Sequence, residues 1–241
     1  ITIDGRPALE GKVVLVTGAS RGIGRAIAAS MAASGAKVLL SSRKQDALDE
    51  AAASITAETR DAEVATQVAH AGDPEQIAAC VAATVERFGG IDVLVNNAAT
   101  NPYMGRTIDI DLPRYDKTWE VNLRGVMVWM QEAYKASLQE RGGSIINIAS
   151  IGGLSVETSI GVYNATKAAM IHLTQTLASE LAPEVRVNAI APGLVKTDMA
   201  RALWEPNESS MAQIVPVGRL GEPEDIASAA VFLASPAASW I

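Results

Sequence analysis

Cysteine and histidine are nearly absent from this 241-residue sequence: Cys80 stands alone, and the only histidines are His70 and His172. One cysteine closes no internal disulfide, and two histidines supply no Cys/His set for zinc. No metal site is expected, which excludes zinc alcohol dehydrogenases and metalloproteases. Positive charge is also in deficit, 20 Lys+Arg against 27 Asp+Glu giving a net charge of −7. That balance argues against nucleic acid or an anionic membrane as partner. Long apolar runs are missing. The longest uncharged stretch, Ile226 to Ile241, contains Ser228, Ser235, Pro236 and Ser239, and is too short and too polar to span a bilayer. Asp4, Arg6 and Glu10 stand where a secretory signal would have its apolar core. A soluble protein of a reducing compartment, the cytoplasm, is expected. Because the first residue is Ile1 and not Met, the natural start is expected upstream.

What is present is globular: 49% hydrophobic and 20% charged residues, in a chain long enough to bury a substantial core. Apolar runs of strand length alternate with helical patterns. Strands are predicted at Lys12–Thr17, Lys37–Ser41, Glu63–Val68, Asp92–Val95, Ser144–Ala149 and Val185–Ile190. Helices are predicted at Ile23–Ser34, Gln45–Thr59, Pro74–Phe88, Pro113–Gln139 and Ile160–Leu181, with Asp73 as an N-cap before Pro74. Strands rich in Val, Ile and Leu with little alternation are buried on both faces. The regular repetition therefore implies an α/β fold: a doubly wound parallel sheet of the Rossmann type with helices on both faces. No linker or fixed-period repeat interrupts it, so residues 1–241 read as a single domain.

The first strand runs into Thr17-Gly18-Ala19-Ser20-Arg21-Gly22-Ile23-Gly24 and then a helix. Glycines let the backbone approach a ligand closely, and the helix N-terminus aims N–H groups and a dipole at an anion, so a pyrophosphate suits this turn. No Gly-Lys-Ser/Thr follows, which excludes a Walker A loop. Gly18 to Gly22 also satisfies G-x-S-x-G, the nucleophile elbow of serine hydrolases. That alternative requires a histidine downstream, and His172 lies mid-helix, where a packed or surface side chain is expected. At the end of the second strand, Ser42-Arg43 occupies the place of the acid that grips a ribose 2′-hydroxyl. A guanidinium beside a small hydroxyl suits a 2′-phosphate, with Arg21 as a second cation, so NADP(H) is favoured over NAD(H).

Tyr163 and Lys167 lie four residues apart and point from one helix face. A lysine ammonium at about 4 Å and an effective dielectric of about 20 favours a phenolate by roughly 4 kcal/mol before desolvation. Tyr163 is thus expected to be acidified by up to about three pH units and to exchange a proton with a carbonyl or alcohol oxygen. Ser150 ends the fifth strand at the carboxyl edge, where open α/β sheets place ligands. Its hydroxyl could donate to an oxygen on which charge builds. Asn122, poorly suited to its helix, reads as a polar anchor or a proton-relay member. Asn96-Asn97-Ala98-Ala99 ends the fourth strand at the same edge.

Together, T-G-x-x-x-G-x-G, N-N-A, Asn122, Ser150, Y-x-x-x-K and Pro192-Gly193 resemble, in order and spacing, the short-chain dehydrogenase/reductase family from Lys12 to Ile241. The resemblance is strongest to 3-oxoacyl-(acyl carrier protein) reductases and peroxisomal carbonyl/retinal reductases. Asn97-Ala98-Ala99-Thr100-Asn101-Pro102 and Ala191-Pro192-Gly193-Leu194-Val195-Lys196-Thr197 are similar to the latter group. It implies Tyr163 as acid/base, Lys167 acidifying it and holding the nicotinamide ribose, and Ser150 steadying the substrate oxygen. Asn122 would keep a water linked to Lys167. Gly18, Ser20, Arg21, Ile23 and Gly24 would surround the phosphates, Asn97 would lie near the adenosine-side ribose, and Val195 and Thr197 would hold the carboxamide. His70-Ala71 stands where many members place Asp-Val against the adenine, and Ala99 replaces a usual glycine. Members continue into a seventh strand beyond the point where this chain stops, so a further C-terminal segment is expected.

The implied activity is hydride transfer between NADP(H) and a small ketone, aldehyde or alcohol, 3-oxoacyl thioesters included. An NAD-dependent alcohol dehydrogenase of the same family is the alternative. A sugar epimerase or dehydratase would have T-G-x-x-G-x-x-G spacing and a C-terminal substrate domain, and a nucleotide sensor would have no need of Ser150, Tyr163 and Lys167 together. Residues 196–213, with Trp204 and two methionines, are expected to form a lid. The resemblance also implies a homotetramer or homodimer, with apolar residues of the Pro113–Gln139 and Ile160–Leu181 helices at the contacts.

Overall fold

A strand that is apolar at every position must be covered on both faces, and this requirement organises the molecule. A computed structural model of the protein describes residues 2–3 and 5–241. A short antiparallel ribbon, β1 (Thr2–Ile3) with β2 (Arg6–Pro7), precedes the main sheet. The chain then alternates β3 (Val13–Thr17), α1 (Gly22–Ala33), β4 (Lys37–Ser42), α2 (Gln45–Glu58), β5 (Val64–Val68), α3 (Pro74–Phe88) and β6 (Val93–Asn96). The helical run α4 (Leu112–Trp119), α5 (Gly125–Ala133) and α6 (Gln139–Arg141) leads to β7 (Gly143–Ile148). After it come α7 (Gly161–Glu180), β8 (Val185–Ile190), two short helices α8 (Arg201–Trp204) and α9 (Glu208–Ile214), and α10 (Pro223–Ala234).

The main sheet is parallel in the order β5-β4-β3-β6-β7-β8. The alternation of the pleat sorts β3 into two cores. Val14 and Val16 pack with Ile27, Met31, Leu48 and Ala230 on the α1–α2–α10 side. Leu15 packs with Ile77, Trp129 and Met170 on the α3–α5–α7 side. Central β3 is buried throughout while edge strand β5 is half-buried at every position. The strand order reverses between β3 and β6, so a crevice opens at their carboxyl ends. No helix among the described residues is long and apolar enough to cross a membrane.

The expected six strands and their helices are present, with ends displaced by a residue or two. One expectation is corrected. The helix predicted at Pro113–Gln139 is not regular: π-turns at Glu120–Arg124 and Tyr134–Leu138 interrupt it. At the first, the Gly125 N–H bonds the Glu120 carbonyl five residues back. A side chain on Gly125 would run into the Ala71 carbonyl, so glycine lets the widened helix lie against the β5–α3 loop. Periodicity cannot reveal this, because apolar spacing tolerates one extra residue.

Trp129 is 1% exposed within the second core, and its indole N–H has no hydrogen-bond partner. Trp129→Ala should lower the unfolding free energy by about 3–5 kcal/mol, read as a reduced urea midpoint. Trp129→Phe should cost markedly less, since no hydrogen bond is lost.

Candidate active site

The turn from β3 into α1 needs glycine for two separate reasons. Gly18 and Gly22 adopt φ of +65° and +55°, which disfavour a side chain. A Cβ at Gly18 would also lie 2.9 Å from the Ala98 Cα, and one at Gly24 would overlap the Gly18 carbonyl and the Asn97 amide. The turn is stitched to the end of β6. Asn97 Nδ2 donates to the carbonyls of Thr17 (3.0 Å) and Gly18 (3.1 Å), and Thr17 Oγ1 accepts from the backbone N–H groups of Asn97 and Ala98, both at 3.0 Å. The first turn of α1 contains no acidic residue and no side-chain cap, so its N–H groups face the crevice free for an anion. Ser20 and Ile23 are half-buried there, and Arg21 is exposed with its guanidinium 3.7 Å from Asp198. The chain after β8 returns over this turn. Val195 is buried and bridged to Gly221, and the Thr197 methyl lies 3.4 Å from where a Gly22 Cβ would be. The cradle fits a dinucleotide pyrophosphate: close backbone, unsatisfied N–H groups and one exposed cation.

Arg43 follows the end of β4 and is exposed; Ser42, which extends the strand, pairs with Val68. Across from them His70 Nδ1 accepts from the Gly72 N–H at 3.1 Å, and Nε2 lies 2.9 Å from Lys117 Nζ, which also donates to Glu120 at 3.0 Å. Burial first, then the Lys117 charge, holds the His70 pKa below its ordinary value. Ala71 is half-buried, its carbonyl against Gly125. These contacts occupy His70, and His172 is exposed on α7. Among the described residues neither histidine hydrogen-bonds Ser20, so the hydrolase alternative lacks its base.

Ser150 follows β7, and its Oγ accepts from the Gly152 N–H at 3.2 Å. The Ser150 side chain lies next to the Tyr163 phenol and favours its ionised form. One turn along α7, Lys167 is 1% exposed; its Nζ donates to the Ile148 carbonyl at 2.6 Å and lies 5.7 Å from the Tyr163 ring centroid. The structure therefore unites Ser150, Tyr163 and Lys167 as expected but alters their electrostatics. Burial pulls the Lys167 pKa down to about 7. Burial also pushes the Tyr163 pKa above its ordinary value; the Ser150 side chain opposes this and the Glu157 charge adds to it. The expected acidified phenol is not what this arrangement produces, because desolvation acts on both groups and the amine is turned to a backbone carbonyl.

Asn122 sits in the first π-turn, fully buried. It exchanges two hydrogen bonds of 2.8 Å with the backbone of Thr100 and donates to Thr166 Oγ1 at 3.3 Å. Of its two sequence readings, the anchor is the one these bonds describe, tying the loop after β6 to α7 beneath Tyr163. Sequence reasoning missed the Ile148 carbonyl and Glu157. A backbone acceptor has no sequence signal, and one carboxylate in a loop is unremarkable until the fold brings it near a phenol.

Between pH about 7 and 10.5 an unfolded chain keeps a proton on Lys167 that the folded chain has released. Folding stability from this group therefore rises with pH across that window. Above pH about 10 the raised Tyr163 pKa reverses the slope, since the folded phenol then holds a proton that the unfolded one loses. Lys167→Met should remove the rise between pH 7 and 9.5 in urea-derived stabilities; a slope equal to that of the parent protein would refute the buried amine.

A family profile described as Enoyl-(Acyl carrier protein) reductase matches residues 18–241. The "Dehydrogenase/reductase SDR family member 4" of Homo sapiens is 42% identical over 240 residues, covering 98% of this chain and 85% of that protein. Among solved structures, a variant of actinorhodin polyketide ketoreductase with NADPH superposes with a TM-score of 0.90 at 32% identity, covering 95% of this chain and 92% of that one. The 3-ketoacyl-(acyl-carrier-protein) reductase of Brucella melitensis complexed with NADH also gives 0.90 at 32% identity, covering 97% and 94%. With the nucleotide cradle and the Ser–Tyr–Lys set at one sheet edge, these likenesses establish that the chain belongs to the short-chain dehydrogenase/reductase family of NAD(P)-dependent oxidoreductases.

Proposed function

We propose that the protein reduces a ketone or aldehyde with NADPH and catalyses the reverse alcohol oxidation, with 3-oxoacyl thioesters among its ketones. The observation that carries this reading is the phenol of Tyr163 beside Ser150, with the Lys167 amine 5.7 Å from its ring, at the same sheet edge as the uncapped α1 turn. The bound nicotinamide supplies or accepts the hydride. Tyr163 donates its proton to the carbonyl oxygen, and its raised pKa keeps that proton in place at neutral pH, the state reduction needs. Ser150 donates a hydrogen bond to the same oxygen as charge builds on it. Lys167, held at the Ile148 carbonyl, returns the proton to Tyr163 and offers N–H donors to the nicotinamide ribose. Asn122 fixes α7 and the β6 loop so that these groups keep their spacing, with a water beside it completing the relay.

Gly18, Ser20, Arg21, Ile23 and Gly24 would hold the pyrophosphate, and Val195 and Thr197 the carboxamide. Asn97 would support the adenosine-side ribose by holding the turn. His70 and Ala71 would border the adenine. Ser42 and Arg43 carry the coenzyme preference, because an exposed guanidinium with no ion-pair partner among the described residues suits a 2′-phosphate and disfavours nothing else there. One domain, residues 1–241, would thus bind coenzyme and perform the chemistry, with 196–213 as the lid. That segment forms α8 and α9, anchored where Lys196 meets Glu208 (2.6 Å) and Glu222 (3.0 Å). A cytoplasmic homotetramer or homodimer, joined through the outer faces of α4–α5 and α7, completes the reading.

Tyr163→Phe should lower kcat by about 10²–10⁴-fold while NADPH binding, read by fluorescence titration, stays within about twofold; undiminished turnover would sink the assigned role. Arg43→Asp should move the NADPH-to-NADH ratio of kcat/KM toward NADH by about tenfold or more. An unchanged ratio would place the preference elsewhere.

A further inference from the structure

The loop from β5 to α3 is held from two sides. On the α3 side, the His70 backbone N–H donates to Gln76 Oε1 at 2.9 Å, and the His70 carbonyl accepts from the Asp73 N–H at 3.0 Å. On the α4 side, Arg124 Nη2 donates to the Gly72 carbonyl at 3.2 Å, and Gly72 packs against the Glu120 side chain, which a Cβ would overlap. The contact that reaches the loop's own side chain comes from Lys117, whose Nζ lies 2.9 Å from His70 Nε2 and 3.0 Å from Glu120 Oε1. At the other end of the ring, the Gly72 N–H is 3.1 Å from His70 Nδ1. Both imidazole nitrogens therefore face a donor. A neutral ring has a lone pair for one of them, and an imidazolium has none for either.

Charge acts in the same sense. An imidazolium would stand 2.9 Å from the Lys117 ammonium with the Arg43 guanidinium adding to the repulsion, while the Glu120 and Asp73 carboxylates attract it. Burial and Lys117 outweigh the carboxylates, so the ring is held neutral. The same loop reaches the coenzyme edge of the sheet, where the Ala69 N–H donates to the Ser42 carbonyl at 3.0 Å, next to Arg43. We propose that His70 and Lys117 form a positioning pair that holds the β5–α3 loop to α4 only while the imidazole is uncharged. Acid would release the loop and weaken coenzyme binding there. Folding stability from His70 is full above pH about 6.5 and is lost as pH falls below it, because the unfolded ring takes up its proton first.

The coenzyme consequence rests on the reading that His70 and Ala71 border the adenine, and the measurements separate the two. Histidine ring resonances of the intact protein are followed by NMR from about pH 5 to 8, with the exposed His172 as internal reference. His70 should titrate at lower pH than His172. Lys117→Met should move its midpoint toward that of His172, and Lys117→Arg should keep it low. Protection of the Gly72 amide from hydrogen exchange should fall about tenfold as the His70 ring protonates. His70→Gln, whose amide takes up no proton, should make that protection independent of pH. A His70 midpoint at or above that of His172, a midpoint unmoved by Lys117→Met, or Gly72 protection indifferent to the ring's titration would overturn the pair. NADPH dissociation constants, read by fluorescence titration, should rise about threefold to tenfold more in the parent protein than in His70→Gln between about pH 7.5 and 5. Taking that ratio cancels the titration of the coenzyme's own phosphate. A flat ratio, with the ring and Gly72 responding as expected, supports the pair and counts against the adenine placement alone.

Discussion

An amine enclosed by protein with a single carbonyl for company is the constraint on which the rest of the site turns. Lys167 is almost wholly removed from water and is held by the Ile148 oxygen, the last acceptor of β7. The strand thereby sets the height of α7 against the sheet, and with it the position of Tyr163. Removing an ammonium from water is costly, so the group titrates near neutrality instead of staying charged. A proton that is readily gained and lost at that pH is more useful in a relay than one held tightly. The phenol, by contrast, keeps its proton, and the two groups are poised in opposite senses.

The sheet brings together residues far apart in the chain because its strand order reverses between β3 and β6. The glycine turn follows β3, the Asn97 stitch follows β6, and Ser150 follows β7, all at one edge. Side-chain hydrogen bonds then remove slack. Thr17 and Asn97 lock the turn to the neighbouring strand, and Asn122 locks the β6 loop to α7. The π-turn that carries Asn122 is tolerated because Gly125 lets the helix pass the Ala71 carbonyl. Backbone irregularity of this kind gathers where function needs a side chain re-aimed.

Much of this fold is legible in the sequence. Strands such as β3 announce burial on both faces through unbroken apolar runs, and their alternation with helices leaves few topologies open. Ser150 could be named from its place after a strand, and Tyr163 and Lys167 from residue type and spacing on one helix face. Two things could not be read. The first was the balance at Tyr163, since a Coulomb argument from spacing knows the charge four residues away but neither the solvent lost nor the carbonyl gained. The second was every contact made by backbone or by a loop carboxylate: the Ile148 oxygen, the π-turn, and the Glu157 charge at the Tyr163 phenol. Sequence periodicity reports which face is apolar; it is silent on which lone pairs are left over.

The pairing of Arg21 with Asp198 joins the first βα turn to the segment beyond β8. An anion arriving at that turn and drawn to Arg21 would compete with a carboxylate for the same guanidinium. Whatever free energy the competition takes from nucleotide affinity is returned as release of the segment, since linkage between two ligands of one group is reciprocal. Anion binding at the turn and release of the segment that carries Asp198 would then be one equilibrium rather than two.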